Sequence, residues 1–277
     1  RLYLGGLAFS WFSLWHGNGR SATMLGAFVY AFSGYSLTLA MKHLMFGVPI
    51  VFFPLMLLGV DKLIRDNRKG LLILSAAFAA MSNIYFFYAQ LIFTAIYCAY
   101  RLFSVRKQYG AKQYAKVATM LLLSGINAFL LAGVILLPVL SLLMSENRVG
   151  QGYSYTLTYG LKYYFEYIAG FTNLQQADVD MTTGYSVIVL IALIILFMKK
   201  GKNKYLKLGV AAFLAFSCLP YFAYVMNGFS YVTNRWVWAF ACLMGYVVVK
   251  VYPELFSLSF KDKQSIACAA AIICIVS

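Results

Sequence analysis

The side chains suited to chemistry in this chain are few, and most fall between apolar runs. Asn234-Arg235-Trp236 stands at the mouth of a predicted helix. A guanidinium is a planar fork of donors that suits bidentate binding of a phosphate or carboxylate. The same side chain can instead snorkel to lipid headgroups or pair with an acid such as Glu146 or Glu166. Lys42-His43 is a second cationic pair, next to Met45-Phe46; a lone histidine at a helix end is also a common structural feature. Asp178-Val179-Asp180 has the spacing of an acidic pair that holds a metal-bound nucleotide sugar. That spacing is frequent by chance, and a solvated loop is the simpler reading. Tyr153, Tyr155, Tyr159, Tyr163, Tyr164, Phe165, Tyr167 and Phe171 crowd one stretch. A helix over 159–169 would lie along a membrane surface, as an interfacial aromatic belt or as a platform that stacks on sugar rings or steers a lipid chain.

Other chemistries find no support. The sequence has no phosphate-cradling glycine loop, no HExxH and no GxSxG. His16 and His43 are expected on opposite faces of the membrane, so they share no metal. Cys98, Cys218, Cys242, Cys268 and Cys274 form no CxxC pair, are odd in number and sit in or beside apolar runs, which reads as packing. No metal or other cofactor is implied.

The elements that must position these groups are membrane helices. The chain is 62% hydrophobic and only 11% charged, against roughly 25% charged in a soluble domain. The apolar residues come in blocks, several of them near the ~20 residues that cross a bilayer. The runs at 120–141 and 206–226 carry no charge apart from Lys207 at one edge. A charge at mid-membrane costs about 2.5–3.5 kcal/mol on insertion scales. The net charge of +15 therefore reads as orientation signal rather than nucleic-acid binding, because the basic residues sit in short loops between apolar runs.

About ten membrane helices are expected: 2–16, 22–41, 47–64, two short helices from the 71–100 block broken at Ser82-Asn83, 117–141, 184–198, 208–226, 236–251, and a last one opening at Ser265. Residues 1–277 read as a single transmembrane domain, a piece cut at both ends with no visible signal peptide. Residues 142–183 read as an external aromatic-rich loop. With Asp61–Lys69 in the cytoplasm, the loops at 17–21, 101–116, 199–207 and 250–263 also fall inside. The loops at 42–46, 83–85, 142–183 and 227–235 fall outside. Of the 23 Lys and Arg, 18 are then inside and 5 outside, as the positive-inside rule requires. Asn83, Gln90 and Asn127 are expected to form helix–helix hydrogen bonds. No ionised side chain is expected within the membrane interior, which disfavours an ion-coupled transporter.

The segment from Gly26 to Tyr35 (GAFVYAFSGY), then His43, Pro54-Leu55, Ser82-Asn83-Ile84-Tyr85-Phe86 and Asn234-Arg235-Trp236, resembles the bacterial YfhO family in order and spacing. The resemblance implies a GT-C-type fold. It also implies sugar transfer from a polyprenyl-phosphate donor, such as undecaprenyl phosphate, to a cell-wall polymer such as teichoic acid on the outer face of a Gram-positive cell membrane. Arg235, Lys42 and His43 would hold the donor phosphate. Tyr153, Tyr155, Tyr163, Tyr164 and Trp236 would contact sugar or lipid. The catalytic carboxylate would lie in an outer loop upstream of Arg1, leaving Glu146, Glu166, Asp178 and Asp180 as weak candidate acids. The alternative is a transporter or flippase for a lipid-linked saccharide, which would need a polar cavity through the bundle. A scaffolding membrane protein is a third reading.

Overall fold

A computed structural model describes residues 1–145, 157–171, 181–199, 201–259, 264 and 266. Among them the chain is helical, with no β-strand. In chain order the helices are α1 (Leu2–Trp15), α2 (Arg20–Ala31), α3 (Gly34–Leu37), α4 (Leu39–Lys42), α5 (Val48–Asp66), α6 (Gly70–Ser82), α7 (Ile84–Val105), α8 (Ala111–Ser145), α9 (Leu161–Ala169), α10 (Val187–Met198), α11 (Lys204–Ser217), α12 (Pro220–Met226) and α13 (Trp238–Leu255). A 3₁₀ turn, Leu44–Gly47, leads into α5.

Four helical stretches are long and apolar enough to cross a bilayer: Leu44–Asp66, Ile84–Val105, Ala111–Leu142 and Trp238–Leu255. Two bent pairs raise the number to six. The count of ten is not confirmed among the described residues. Helices α1, α6 and α10 have 14, 13 and 12 residues, or about 18–21 Å, against a hydrocarbon core of about 30 Å. The helix expected at Ser265 lies outside the described residues. The expected helix 22–41 is broken at Phe32-Ser33 with a 47° bend. The expected helix 208–226 turns by 97° between α11 and α12. Its cause is Pro220, which cannot donate to the preceding turn and drives Leu219 out of helical geometry, to φ −113° and ψ 114°.

The break at Asn83 is present. Asn83 is extended and caps α7, its Oδ1 accepting from Phe86 N at 3.2 Å. Helix α6 therefore runs back along α5 and α7 returns. Phe46, before α5, meets Phe86 at the start of α7, with ring centroids 4.9 Å apart. Asp61, near the end of α5, meets Arg101 near the end of α7. The same alternation places His16, Asn18, Asp61, Arg101, Tyr109, Lys202, Lys250 and Glu254 at one end of the bundle, tied by Tyr109 Oη to Ile64 O (2.8 Å), Lys250 Nζ to Asn18 Oδ1 (2.9 Å) and Lys202 Nζ to Glu254 Oε1 (3.2 Å). His43, Phe46, Tyr85, α9 and Arg235 lie at the other. The described parts of the loops expected to be cytoplasmic and external thus lie at opposite ends. The basic-rich one is called the basic end below.

Close approaches set the packing. A Cβ on Gly26 would meet Gly245 O at 2.7 Å, and a Cβ on Gly245 would meet Gly26 O at 2.7 Å. Only hydrogen at both positions lets α2 and α13 come this near. Proline leaves carbonyls without donors, and tyrosine hydroxyls supply them. Pro54 gives Ile50 O no helical N–H partner, and Tyr30 Oη donates to that oxygen at 2.8 Å.

Two expectations about polar groups are corrected. Asp61 belongs to α5, not to a loop, and is 1% exposed. Arg101 Nε approaches its Oδ1 at 2.5 Å, while Tyr97 Oη and His16 Nε2 lie 2.7 and 3.1 Å from its Oδ2. An ionised pair does occur inside the bundle, near its basic end, with each charge compensated. Gln90 is fully buried and its amide has no protein hydrogen-bond partner, while Asn127 faces outward. Neither forms the helix–helix bond expected of it. Cys98 and Cys218 are half-buried and Cys242 is buried, all with free thiols; Cys268 and Cys274 lie outside the described residues.

Candidate functional site

The segment between α12 and α13 carries Arg235. It leaves the helix at Asn227, reverses through Gly228 and Phe229, both at positive φ (64° and 58°), and is pinned by Asn227 Nδ2 donating to Tyr231 O at 2.9 Å. Thr233, Asn234 and Trp236 are buried. Arg235 between them is half-buried.

The guanidinium sits among rings. Its centre is 5.4 Å from the Phe46 centroid and 5.9 Å from that of Tyr231, within cation–π range. Nη1 donates to Tyr231 Oη at 3.1 Å. His43 lies against the same Phe46 ring, 5.0 Å between centroids, so His43 and Arg235 share one aromatic support. Behind Arg235 is a cleft lined by Tyr85, Phe86, Ala89, Met226, Thr233 and Trp236. Its volume is about 10 Å³, room for about one water. The cleft behind Arg235 has no room for a bulky anion.

Asn234 joins this segment to the aromatic stretch. Its Nδ2 donates to Tyr163 Oη at 3.2 Å and Tyr159 Oη at 3.3 Å, while its Oδ1 accepts from Trp236 Nε1 at 3.2 Å. Tyr163 Oη donates to Ser217 O at 2.7 Å and Tyr164 Oη to Cys218 O at 3.2 Å. These are carbonyls at the end of α11, where Pro220 interrupts the helical ladder. Burial pushes the Tyr159 phenol up to about 12 and holds those of Tyr163 and Tyr167 above the ordinary range, so all three keep their protons at neutral pH.

The sequence-derived candidates separate accordingly. Arg235 and His43 come together on Phe46; Lys42, in the last turn of α4, is exposed. Tyr163 and Trp236 are each 2% exposed and present no free ring face. Their surface went into packing: Tyr163 stacks on Tyr159 and Tyr167, and Trp236 packs on Phe93, Phe213 and Phe222. Tyr164 is half-buried. Helix α9 is docked into the bundle, with Phe165 and Ile168 outward. Glu166 pairs with Lys162 at 3.4 Å, one turn away. Tyr153, Tyr155, Glu146, Asp178 and Asp180 lie outside the described residues. Phe46 and Tyr85 were given no role from sequence, appearing only as a neighbour of His43 and as part of the family-like motif, and Tyr231 was not named.

The profile of the family described as Bacterial membrane protein YfhO matches residues 1–277. The chain belongs to the YfhO family. It is 25% identical over 260 residues to a Bacillus subtilis (strain 168) protein described as "Uncharacterized protein YfhO". The match covers 92% of this chain and 28% of that relative, so the chain spans under a third of the curated relative's length. No solved structure matches the chain. Family membership and several apolar helices make this YfhO chain a multi-pass membrane protein.

Proposed function

We propose that the chain is part of a GT-C-type membrane glycosyltransferase that moves a sugar from a polyprenyl-phosphate donor to a cell-wall polymer, such as teichoic acid, on the extracytoplasmic face. The observation that carries the reading is Arg235, a guanidinium held by Phe46 and Tyr231 at the end of the bundle opposite the basic loops. A guanidinium fork held on aromatic rings on the poorly basic side suits bidentate contact with a phosphate.

In the proposed reaction a carboxylate takes the proton of the acceptor hydroxyl, and that oxygen attacks the anomeric carbon. The bond from that carbon to the phosphate oxygen breaks. The phosphate departs with the electron pair, and Arg235 neutralises the charge it gains. His43 stands beside Arg235 as a further donor to the phosphate, and Lys42 as a looser one at the membrane surface. Tyr164 and Tyr85 are the half-buried rings assigned to sugar or lipid, in place of the buried Tyr163 and Trp236. The base is placed upstream of Arg1, as the resemblance implies, with Glu146, Asp178, Asp180 and the Lys162-paired Glu166 as weaker candidates.

The test is to reconstitute the full-length protein in vesicles with a lipid-linked sugar and an acceptor polymer. Sugar covalently joined to the polymer supports the reading. Movement of the intact lipid-linked sugar to the other leaflet, with no transfer, would establish the flippase instead.

A further inference from the structure

A second cavity lies away from Arg235. It is a groove of about 540 Å³ on the outer surface of the bundle, between α1 and α2. Small residues make its floor, Gly6, Ala27 and Ala31 among them. The two helices meet closely there: a Cβ on Gly6 would lie 3.8 Å from the Ala31 Cβ. Leu7, Met24 and Phe28 form apolar sides and are 48%, 61% and 55% exposed. One charged residue lines the groove, Arg20, at the basic end. Its guanidinium is exposed, and no carboxylate among the described residues pairs with it.

We propose that this groove holds an anionic phospholipid, with the phosphate on Arg20 and one acyl chain running toward Phe32. Length and charge each favour that occupant. From Arg20 to Phe32 is about 18 Å along α2, close to the roughly 15 Å depth of one leaflet's hydrocarbon. The only charge in the lining is positive and stands at the end where a headgroup would sit. It is also the basic end of the bundle, which gathers Arg101, Lys202 and Lys250, a field that concentrates anionic lipid. The site is separate from the Arg235 cleft and does not depend on the reaction proposed for it.

The experiment uses the full-length protein with benzoylphenylalanine at position 24, in vesicles containing equal amounts of phosphatidylglycerol and phosphatidylcholine. After irradiation, adducts are identified by mass spectrometry. The expected result is a lipid adduct enriched about fivefold in phosphatidylglycerol, the ratio that one charge contact near the surface gives (about 1 kcal/mol). Arg20→Gln should bring the two lipids to parity with an unchanged unfolding temperature, and Arg20→Lys should keep most of the enrichment. Three results would overturn the proposal: equal adducts with Arg20 present, a cross-link to another segment of the protein, or preferential capture of a polyprenyl phosphate when the membrane is supplied with one.

Discussion

The Tyr30 hydroxyl donates to the Ile50 carbonyl at 2.8 Å, and Ile50 is the residue whose helical donor is lost at Pro54. In water such a carbonyl would be hydrated. Within a bilayer the protein must supply the donor itself. The pattern recurs at Tyr109 with Ile64 O, Tyr163 with Ser217 O and Tyr164 with Cys218 O, so these tyrosines serve the backbone. Tyr30→Phe leaves Ile50 O buried and unpaired, a loss of about 1–3 kcal/mol. In a Pro54→Ala background the helix regains its own donor, and the same substitution should cost measurably less. Thermal unfolding of the four proteins in one detergent gives the coupling. Equal losses in both backgrounds would dissociate Tyr30 from Pro54.

Asn234 should hold α9 in place. Asn234→Ala removes the donor to Tyr159 and Tyr163 and the acceptor of Trp236 Nε1, bonds worth about 1 kcal/mol each. Hydrogen exchange is expected to quicken across residues 161–169 and stay unchanged in α5 and α6. Uniform quickening would mean that Asn234 supports the whole bundle.

At the basic end, Asp61→Asn leaves Arg101 without its counter-charge. Breaking a fully buried pair costs about 3–5 kcal/mol, and the partial opening of Arg101 to solvent, at 25% exposure, brings the expected loss toward the lower figure. The double change Asp61→Leu with Arg101→Leu should be milder than Asp61→Asn alone, because no unpaired charge remains. Unfolding temperatures in that order would support the account. A harmless Asp61→Asn would contradict it.

What the sequence revealed and what it hid have physical reasons. The hairpin at Asn83 was legible because the 71–100 block is too long for one span and only a break within it keeps the basic 101–116 loop on the cytoplasmic side; Asn83 itself caps α7 instead of making the helix–helix bond expected of it. The bend at Pro220 was signalled by the Leu219-Pro220 pair, yet hydropathy alone carried the helix through to Met226. Asp61 looked like the edge of a basic loop because Lys62 follows it and its partner lies 40 residues on, across two helices. The tyrosines at 159, 163 and 167 repeat every four residues, the spacing of one buried helical face, and that spacing outweighs the surface platform suggested by their number. The meeting of His43, Phe46 and Arg235 could not be read, because it depends on how α4, α5 and α13 end relative to one another.

The orientation of the bundle follows from its basic end. A single cysteine at Gln108, on a background without native cysteines, is predicted to resist membrane-impermeant thiol reagents in intact cells and to react once the membrane is opened. A cysteine at Phe229 should react in intact cells. Labelling of Gln108→Cys from outside would invert the topology and place Arg235 in the cytoplasm.

The most direct measurement is transfer of sugar from a polyprenyl-phosphate donor to acceptor polymer by full-length protein carrying Arg235, Arg235→Lys or Arg235→Ala. Lysine keeps the charge and loses the fork, while alanine loses both. Removing one stabilising donor of a departing charge typically costs about 10²–10³ in rate. The account predicts turnover in the order wild type, Lys, Ala, with the alanine variant down by about that factor, at an unchanged unfolding temperature. A well-folded Arg235→Ala protein with unaltered donor binding and turnover would contradict it.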